Sequence, residues 1–401
     1  MSFRKIYSQI GLFAGPAPSS GYHFVDFSGN ATNSIYAFSG STLGYSYNAI
    51  KPFNRIIDAG YGFAESRIDV KQLGDYGTVS RPTIANTPVS LQFSYYSMGL
   101  YNEALMGFNI SSGRNITPIS GFIDRTLITG IYNDIRNIFI ATNDYDDELK
   151  TAPFITQTLN GTKSTVIKNN INVFAFGDCF IDSYKYSASV GSIPQVSVAY
   201  ICNNVMYHYG GSGNIIPSVN TKTFSLNTGV SYILPSLYTG TQASVILPGD
   251  ITLSISPSQS SSSFQNSFFD FSDIKIQNFQ IDISLNREPI INLGYRLPMD
   301  RIVNFPTYAN LSFSAIAGDS YTGSFINFIN TDTEYDISIN LKYSKAQPFT
   351  GTAIMFSFLG CKFNSIKGTD SLSNDRLTEL SFTSELNPNY NNKGFFISGQ
   401  L

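Results

Sequence analysis

Residues 274–283 read IKIQNFQIDI, and this stretch decides the fold class. Apolar residues alternate with polar ones, which is the period of a strand with one buried face, and the Gln277-Asn278 pair interrupts the alternation as a β-bulge does. The same alternation returns in residues 311–315 (LSFSA) and 337–343 (ISINLKY). The sequence therefore predicts a mainly β protein built from half-buried strands.

Helical periodicity is scarce by comparison. The best candidates are residues 101–108 (YNEALMGF) and 321–330, and each is long enough for about two turns. The prediction is one short helix in each half of the chain, packed on the flank of the strands.

An internal repeat relates the two halves. Shifting the chain by 220 positions places residues 67–108 on residues 287–328 without a gap, and ten of these 42 positions are identical. A second block aligns at an offset of 182. In that block the matched pairs are Phe174 with Phe356, Phe176 with Phe358, Cys179 with Cys361 and Ser183 with Ser365. Because both blocks keep the same order, a duplicated domain explains them, whereas chance similarity of two Phe-rich halves is the alternative.

The repeat predicts two tandem domains, residues 1–214 and residues 215–401, each a β-sandwich or small barrel. Gly210 to Asn214 mark the boundary as a flexible turn or linker. The drop in offset from 220 to 182 leaves about 38 extra residues in the first domain. If residues 132–135 (YNDI) correspond to residues 335–337 (YDI), about 17 of them precede this strand and about 21 follow it.

The composition bears on partners. The 401 residues include 25 Lys and Arg against 28 Asp and Glu, and only 13% of the chain is charged. This near-neutral balance argues against a grip on nucleic-acid phosphates, which needs a basic face. It favours a surface that is covered by copies of the same protein. No run of about 18 apolar residues is present to span a bilayer, and three cysteines without a CxxC pair fit free thiols made in a reducing cytoplasm.

The sequence offers little material for catalysis. It has two histidines, and no pair of carboxylates lies in an evidently apolar context. We therefore predict no enzyme activity, no catalytic residues, no cofactor and no metal site. Four arginines recur in register in the first aligned block. They are Arg67 and Arg81 in the first half, and Arg287 and Arg301 in the second.

These arginines have two interpretations. As structural residues they are solvent-exposed strand ends. As functional residues they pair with carboxylates across a subunit interface, because a planar guanidinium holds carboxylates in a fixed geometry. The second interpretation makes Arg67, Arg81, Arg287 and Arg301 candidate inter-subunit contacts.

The second half resembles the tail tube proteins of long-tailed bacteriophages. The similarity is carried by residues 279–290 (FQIDISLNREPI), 305–306 (FP), 311–316 (LSFSAI) and 358–365 (FLGCKFNS). It covers about residues 245–400 and, through the repeat, more faintly residues 40–205. The resemblance implies two packed β-sheets with a flanking helix, and rings that stack into a hollow tube for the genome. A tandem duplication then implies rings of three subunits with pseudo-sixfold symmetry.

The resemblance also implies the partners and the location of the protein. The chain would assemble with itself by head-to-tail stacking and with other tail proteins, and DNA would pass through without specific binding or a membrane being involved. It would be made in the host cytoplasm and reside in the virion, as part of the phage tail. The alternative is a tail-tip protein, a baseplate hub or a receptor-contacting binding protein of the tail.

Overall fold

Strands dominate the computed structural model of this chain. The described residues are 10–16, 50–63, 67–82, 89–108, 110, 135–143, 154–159, 162–167, 171–211, 215–219, 226–233, 246, 251–258, 275–291, 293, 298, 300–316, 333–342, 352–371, 374–386 and 393–399. The predicted mainly β class is confirmed.

The first half carries eleven strands and one helix in its described residues. In chain order they are β1 (Ile10–Pro16), β2 (Lys51–Pro52), β3 (Ile56–Phe63), β4 (Val70–Lys71), β5 (Thr78–Ser80), β6 (Val89–Tyr96), α1 (Tyr101–Met106), β7 (Arg136–Asn143), β8 (Phe154–Leu159), β9 (Thr162–Ile167), β10 (Ile171–Ser189) and β11 (Gln195–Gly211).

The second half carries another eleven strands in its described residues. They are β12 (Ile215–Val219), β13 (Leu226–Ile233), β14 (Ile251–Pro257), β15 (Lys275–Ser284), β16 (Arg287–Ile290), β17 (Asp300–Val303), β18 (Tyr308–Ile316), β19 (Tyr335–Lys342), β20 (Thr352–Ser371), β21 (Asn374–Glu385) and β22 (Gly394–Gly399).

Fourteen strands form one antiparallel sheet, and four two-stranded hairpins accompany it. The main path runs from β14 to β3, and within the described residues no pairing joins these two ends. Of the two predicted architectures, a β-sandwich or a small barrel, the closed barrel is therefore wrong, because a barrel needs every strand to be paired on both edges.

The two halves of this sheet have the same strand order. In the first half the order is β1-β7-β10-β11-β6-β3, and in the second half it is β14-β19-β20-β21-β18-β15. Each small hairpin, β4–β5 or β16–β17, lies between corresponding strands of its half. Strands that correspond in the two halves of the sequence therefore occupy corresponding positions in the sheet.

The pairing registers also match, residue by residue. Leu91 of β6 lies opposite Tyr200 of β11, and Leu311 of β18 lies opposite Phe382 of β21. These pairs are related by the offsets of 220 and 182 that align the two halves of the sequence. The bulge predicted at Gln277-Asn278 is confirmed, since the register of β15 shifts between Ile276 and Asn278.

A second irregularity recurs in the long strands β10 and β20. Asp178 and Gly360 both have left-handed backbone angles, with φ of 46° and 64°. Each donates its backbone N–H to a side-chain oxygen on the neighbouring strand, Asp178 to Oδ1 of Asn137 and Gly360 to Oδ1 of Asp336, both over 3.0 Å. The left-handed angle is disfavoured for Asp178 though not for a glycine, and it recurs together with its hydrogen bond at an offset of 182.

The register of β7 corrects the sequence alignment. Ile138 of β7 faces Phe176 of β10, and Ile337 of β19 faces Phe358 of β20. Ile138, and not Ile135, is therefore the counterpart of Ile337. The offset falls from 220 to 199 before this strand and from 199 to 182 after it, so 21 extra residues precede β7 and 17 follow it. The expected division was the reverse, because the match of YNDI with YDI ignored which residues face the core.

The outermost strands reveal a similarity that the sequence comparison missed. Pro16 at the end of β1 faces Arg136, and Pro257 at the end of β14 faces Tyr335. Aligned in this way, IGLFAGP and ITLSISP share Ile, Leu and Pro at the same positions. A seven-residue match was too short to detect before the pairing was known.

Helix α1 confirms the first helix prediction and is shorter than expected. It ends at Met106 because Gly107 takes a left-handed angle, with φ of 101°, and caps the last turn. Asn102 joins the helix to the strand side, since its amide exchanges hydrogen bonds of 2.9 and 2.8 Å with the backbone of Asn54. The second predicted helix, residues 321–330, lies outside the described residues.

The predicted boundary falls at the end of a strand. Gly210 and Gly211 belong to β11, residues 212–214 lie outside the described part of the chain, and β12 begins at Ile215. One core runs through both halves. The ring of Tyr186 on β10 stacks on Phe279 of β15 at 5.8 Å and meets Phe356 of β20 edge-on at 4.7 Å.

Candidate assembly interface

The halves join where β10 pairs with β15. Seven residue pairs form this junction, from Ser183 opposite Ser284 to Ser189 opposite Asn278. We call these residues, 183–189 and 278–284, the seam. It is an intramolecular pairing of two strand edges that belong to different halves.

Large side chains fill the core side of the seam. Tyr184 faces Ile283 and Tyr186 faces Ile281, and all four are fully buried. Burial of each such side chain stabilises the junction by about 1.5–3 kcal/mol. On the opposite side, Lys185 and Asp282 form an ion pair of 3.7 Å with both side chains partly exposed, which contributes little.

Two buried arginines connect the halves near one end of the seam. Arg287 donates from Nε to the carbonyl oxygen of Ile181 over 2.7 Å, and its guanidinium lies 5.4 Å from the centre of the Phe180 ring. Arg301 donates from Nε to Oδ1 of Asn203 over 3.0 Å. Burial lowers the pKa of Arg301 below its usual value, yet a guanidinium stays charged in proteins. These arginines of the second half therefore hold strands of the first half.

The structure divides the four predicted contact residues into two pairs. Arg287 and Arg301 are 8% and 6% exposed and lie at the seam within one chain. Arg67 and Arg81 are exposed, and Arg81 pairs with Asp69 over 2.5 Å. The solvent-exposed interpretation is wrong for Arg287 and Arg301, because both are buried against residues of the first half. A role between subunits stays a prediction for all four.

The strand that corresponds to β15 is β3, and its second edge has no partner among the described strands. In the described part of the chain β3 pairs with β6 alone. Tyr61 and Phe63 are 44% and 62% exposed, whereas their counterparts Ile281 and Ile283 are fully buried. The ring of Tyr61 still turns toward the core, at 4.8 Å from the ring of Phe174. The apolar face of β3 is thus half covered.

The strand segment that corresponds to the β10 side of the seam likewise lacks a described partner on one edge. Beyond Cys361, β20 pairs with β21, while β19 and β22 pair only with residues 352–361. Ile366, the counterpart of the buried Tyr184, is half-buried. Among the described strands, then, β3 and residues 365–371 of β20 have open edges at the positions where their counterparts form the seam. The sequence signal for this site was the pair of offsets, 220 for β3 and 182 for β20.

A buried carboxylate lies behind the seam. The hydroxyls of Tyr95 and Tyr184 donate to Oε1 of Glu103 on α1 over 2.8 and 3.2 Å. Burial raises the pKa of Glu103 to about 7, and the tyrosine hydrogen bonds oppose that rise. Glu103 is fully enclosed by the core. Its hydrogen bonds therefore have a structural role, which is to connect α1 to β6 and β10. Sequence reasoning missed it because nothing local marks Glu103 as buried.

Other chemistry is sparse in the described residues. No group of three His, Cys, Asp or Glu side chains there is arranged to hold a metal ion, and no helix among those residues is long and apolar enough to cross a membrane. A hollow of about 370 Å³ opens at one end of the seam, and its lining is mostly Ser, Asn and Gln with Glu379. The cysteines Cys179, Cys202 and Cys361 are free and buried.

Comparison with known proteins adds no identification. No protein-family model and no curated protein matches this chain.

Proposed function

We propose that this chain is the structural subunit of a bacteriophage tail tube, assembled as stacked rings of three copies. The single observation that carries the proposal is the repeated half, with its strand order and registers joined side by side at the seam. Such a chain contains two equivalent building blocks, so three copies supply six. The tail-tube character itself rests on the sequence resemblance.

The tandem organisation is part of this proposal. Residues 1–214 and 215–401 are two β-sandwich domains of one ancestral type, with the 21 and 17 extra residues of the first domain on either side of β7. The paired left-handed residues Asp178 and Gly360 support this, because the same backbone angle and the same hydrogen bond to the neighbouring strand recur at the same register.

Open strand edges support self-assembly. Unpaired edges are templates for pairing with another chain, and proteins usually protect them with charges. Here residues 60–63 of β3 carry no charge, and the exposed Tyr61 and Phe63 alternate with Gly60 and Gly62. A subunit that buries its edge against a neighbour needs no such protection.

Apolar hairpin tips support stacking of rings. Leu73 and Tyr76 beyond β4 and Leu293 beyond β16 are fully exposed. Both hairpins leave their half from corresponding strand ends, β3 to β6 and β15 to β18. In a pseudo-sixfold ring all six hairpins then project from the same side, where the next ring can cover them. Head-to-tail contacts of this kind remain open along the axis and give a filament.

The weak charge supports passage of DNA. A net charge of −3 over 401 residues gives the channel wall little attraction for phosphates. The chain would enclose the genome without binding a specific sequence, and the tube would act with other tail proteins in the virion.

Negative-stain electron microscopy of the purified protein tests the proposal. Hollow tubes with a regular axial repeat are the expected result. Isolated rings that do not elongate would instead favour a tail-tip or hub protein. Monomers at all concentrations would contradict the proposed function.

A further inference from the structure

We propose that the open edge of β3 in one copy pairs antiparallel with residues 365–371 of β20 in the next copy, in the register of the seam. The inference rests on the proposed function and specifies how neighbouring copies within a ring contact each other. Its template is the β10–β15 pairing, which is the only junction between the halves that the described sheet contains.

The register follows from the two offsets. At the seam each residue of β10 faces a residue of β15, and subtracting 220 from the β15 number while adding 182 to the β10 number gives the new pairs. Both offsets hold for the pairings inside each half, β3–β6 with β15–β18 and β10–β11 with β20–β21. The predicted facing pairs are Phe63 with Ile366, Gly62 with Lys367, Tyr61 with Gly368 and Gly60 with Thr369.

Side-chain sizes agree with this register. At the seam the aromatic side chains Tyr184 and Tyr186 of β10 face the smaller Ile283 and Ile281 of β15, whereas Phe279 of β15 faces Ala188. In the proposed pairing the aromatic side chains Phe63 and Tyr61 belong to β3, and the smaller residues Ile366 and Gly368 belong to β20. For these two pairs the size relationship is inverted, so each keeps one large and one small member. Pairing would cover the apolar surface that Tyr61 and Phe63 now expose.

Charge agrees with it as well. At the seam Arg301 donates to the amide oxygen of Asn203. The counterpart of Arg301 is Arg81, and the counterpart of Asn203 is Glu385, an exposed carboxylate. The proposed contact therefore brings a guanidinium to a carboxylate. Arg81 already holds Asp69, but its five N–H donors suffice for both carboxylates.

The proposed contact can form a closed ring. Every copy offers one β3 edge and one β20 edge, so the contact is head-to-tail, and the edges of different halves alternate around the ring. Three copies contribute three seams within chains and three between chains. This arrangement leaves the β3 and β20 edges paired throughout the assembly, as in a closed barrel.

Disulfide trapping tests the register. The variant carries Gly62→Cys and Lys367→Cys, two facing positions on the side away from the core. A Cβ at Gly62 meets no atom closer than 3.4 Å, so the fold accommodates a cysteine there. The native cysteines are buried, so they should add little cross-linking of their own. The matched control carries Gly60→Cys and Lys367→Cys, shifted by two residues on the same side. A Cβ at Gly60 is equally tolerated, since its nearest neighbour lies at 3.5 Å.

Mild oxidation followed by non-reducing electrophoresis gives the readout. We expect covalent dimers and trimers from the facing pair, and about tenfold less from the control, because facing residues meet the distance a disulfide needs and diagonal neighbours exceed it. Mixing the two single variants of the facing pair should give dimers only, as a head-to-tail contact requires. A dimer from Gly62→Cys alone would indicate a two-fold contact and overturn the proposal.

Microscopy of the same samples separates two failures. Rings or tubes whose facing pair cross-links no better than the control would overturn the register while leaving the proposed function standing. Monomers that neither assemble nor cross-link would overturn both.

Discussion

The hydroxyl of Tyr95 donates a hydrogen bond to Oε1 of Glu103 over 2.8 Å inside the core. The carboxylate is thereby held between α1 and β6, and Tyr184 of β10 donates to the same oxygen. Because desolvation raises the pKa of Glu103 from 4.5 to about 7, the Glu103 carboxyl group is protonated at mildly acidic pH.

This contact makes stability depend on pH. The folded chain keeps the Glu103 proton up to about pH 7, while the unfolded chain releases it near 4.5, so the stabilising contribution is complete below 4.5 and is lost as the pH rises through 7. The total loss is about 3 kcal/mol. Glu103→Gln should remove this dependence and raise the urea midpoint at pH 8 above that of the wild type.

The exposed carboxylate Glu379 supplies the control for that measurement. Urea titrations at pH 5 and pH 8 should show Glu379→Gln responding to pH as the wild type does. An equal pH response in Glu103→Gln and the wild type would contradict the assigned proton.

Arg287 and Arg67 occupy matching positions and should respond differently to truncation. Arg287→Ala leaves the buried carbonyl oxygens of Ile181 and Arg301 without this donor, so we expect a loss of about 2–3 kcal/mol in unfolding free energy. Arg67→Ala removes an exposed side chain and should change stability by less than about 0.5 kcal/mol. Denaturant titration of the two variants compares them directly, and equal losses would mean that burial at the seam does not distinguish the two arginines.

Gly360 should be intolerant of a side chain. With φ of 64°, an alanine there takes a left-handed angle, and its Cβ lies 2.8 Å from Cγ of Lys393. The angle alone costs about 1–2 kcal/mol, and Lys393 must move. Gly77→Ala is the control, since a Cβ there meets nothing within 4 Å. Thermal unfolding should show a lower midpoint for Gly360→Ala than for Gly77→Ala; the reverse order would exclude strain at the bulge.

A charge exchange should report on the contact between copies. Arg81→Glu or Glu385→Arg alone places like charges together, so each should reduce assembly, and the double variant should restore it. Sedimentation velocity measures the assembled fraction. Lys342→Glu, an exposed reversal on β19, controls for the change in net charge. Assembly that is lost in both single variants and not recovered in the double variant would argue against this pair.

Local patterns in the sequence predicted the single elements well. Alternation located β15, β18 and β19, the Gln277-Asn278 break marked a real bulge, and the segment from Tyr101 became α1. These features depend on neighbours a few residues apart, so a linear pattern is enough to reveal them. The match between β1 and β14 was too short for that, and the alignment of β7 was displaced by three residues.

The open and closed edges could not be predicted in the same way. Arg287 and Arg67 are alike in sequence context, yet the first is buried and the second is exposed. The difference arises because residues 183–189 meet residues 278–284, about a hundred positions further along the chain. No local periodicity records which of two equivalent edges finds its partner within the same molecule.

By itself the sequence determined the β class, the first helix and the two offsets, because each of these is set by side-chain period or by similarity along the chain. Only the tertiary structure decided the strand order, the burial of Glu103 and the identity of the edges left open. Those depend on which distant strands pair, and in the described sheet only one of the two equivalent seams, that of β10 with β15, is formed within the chain.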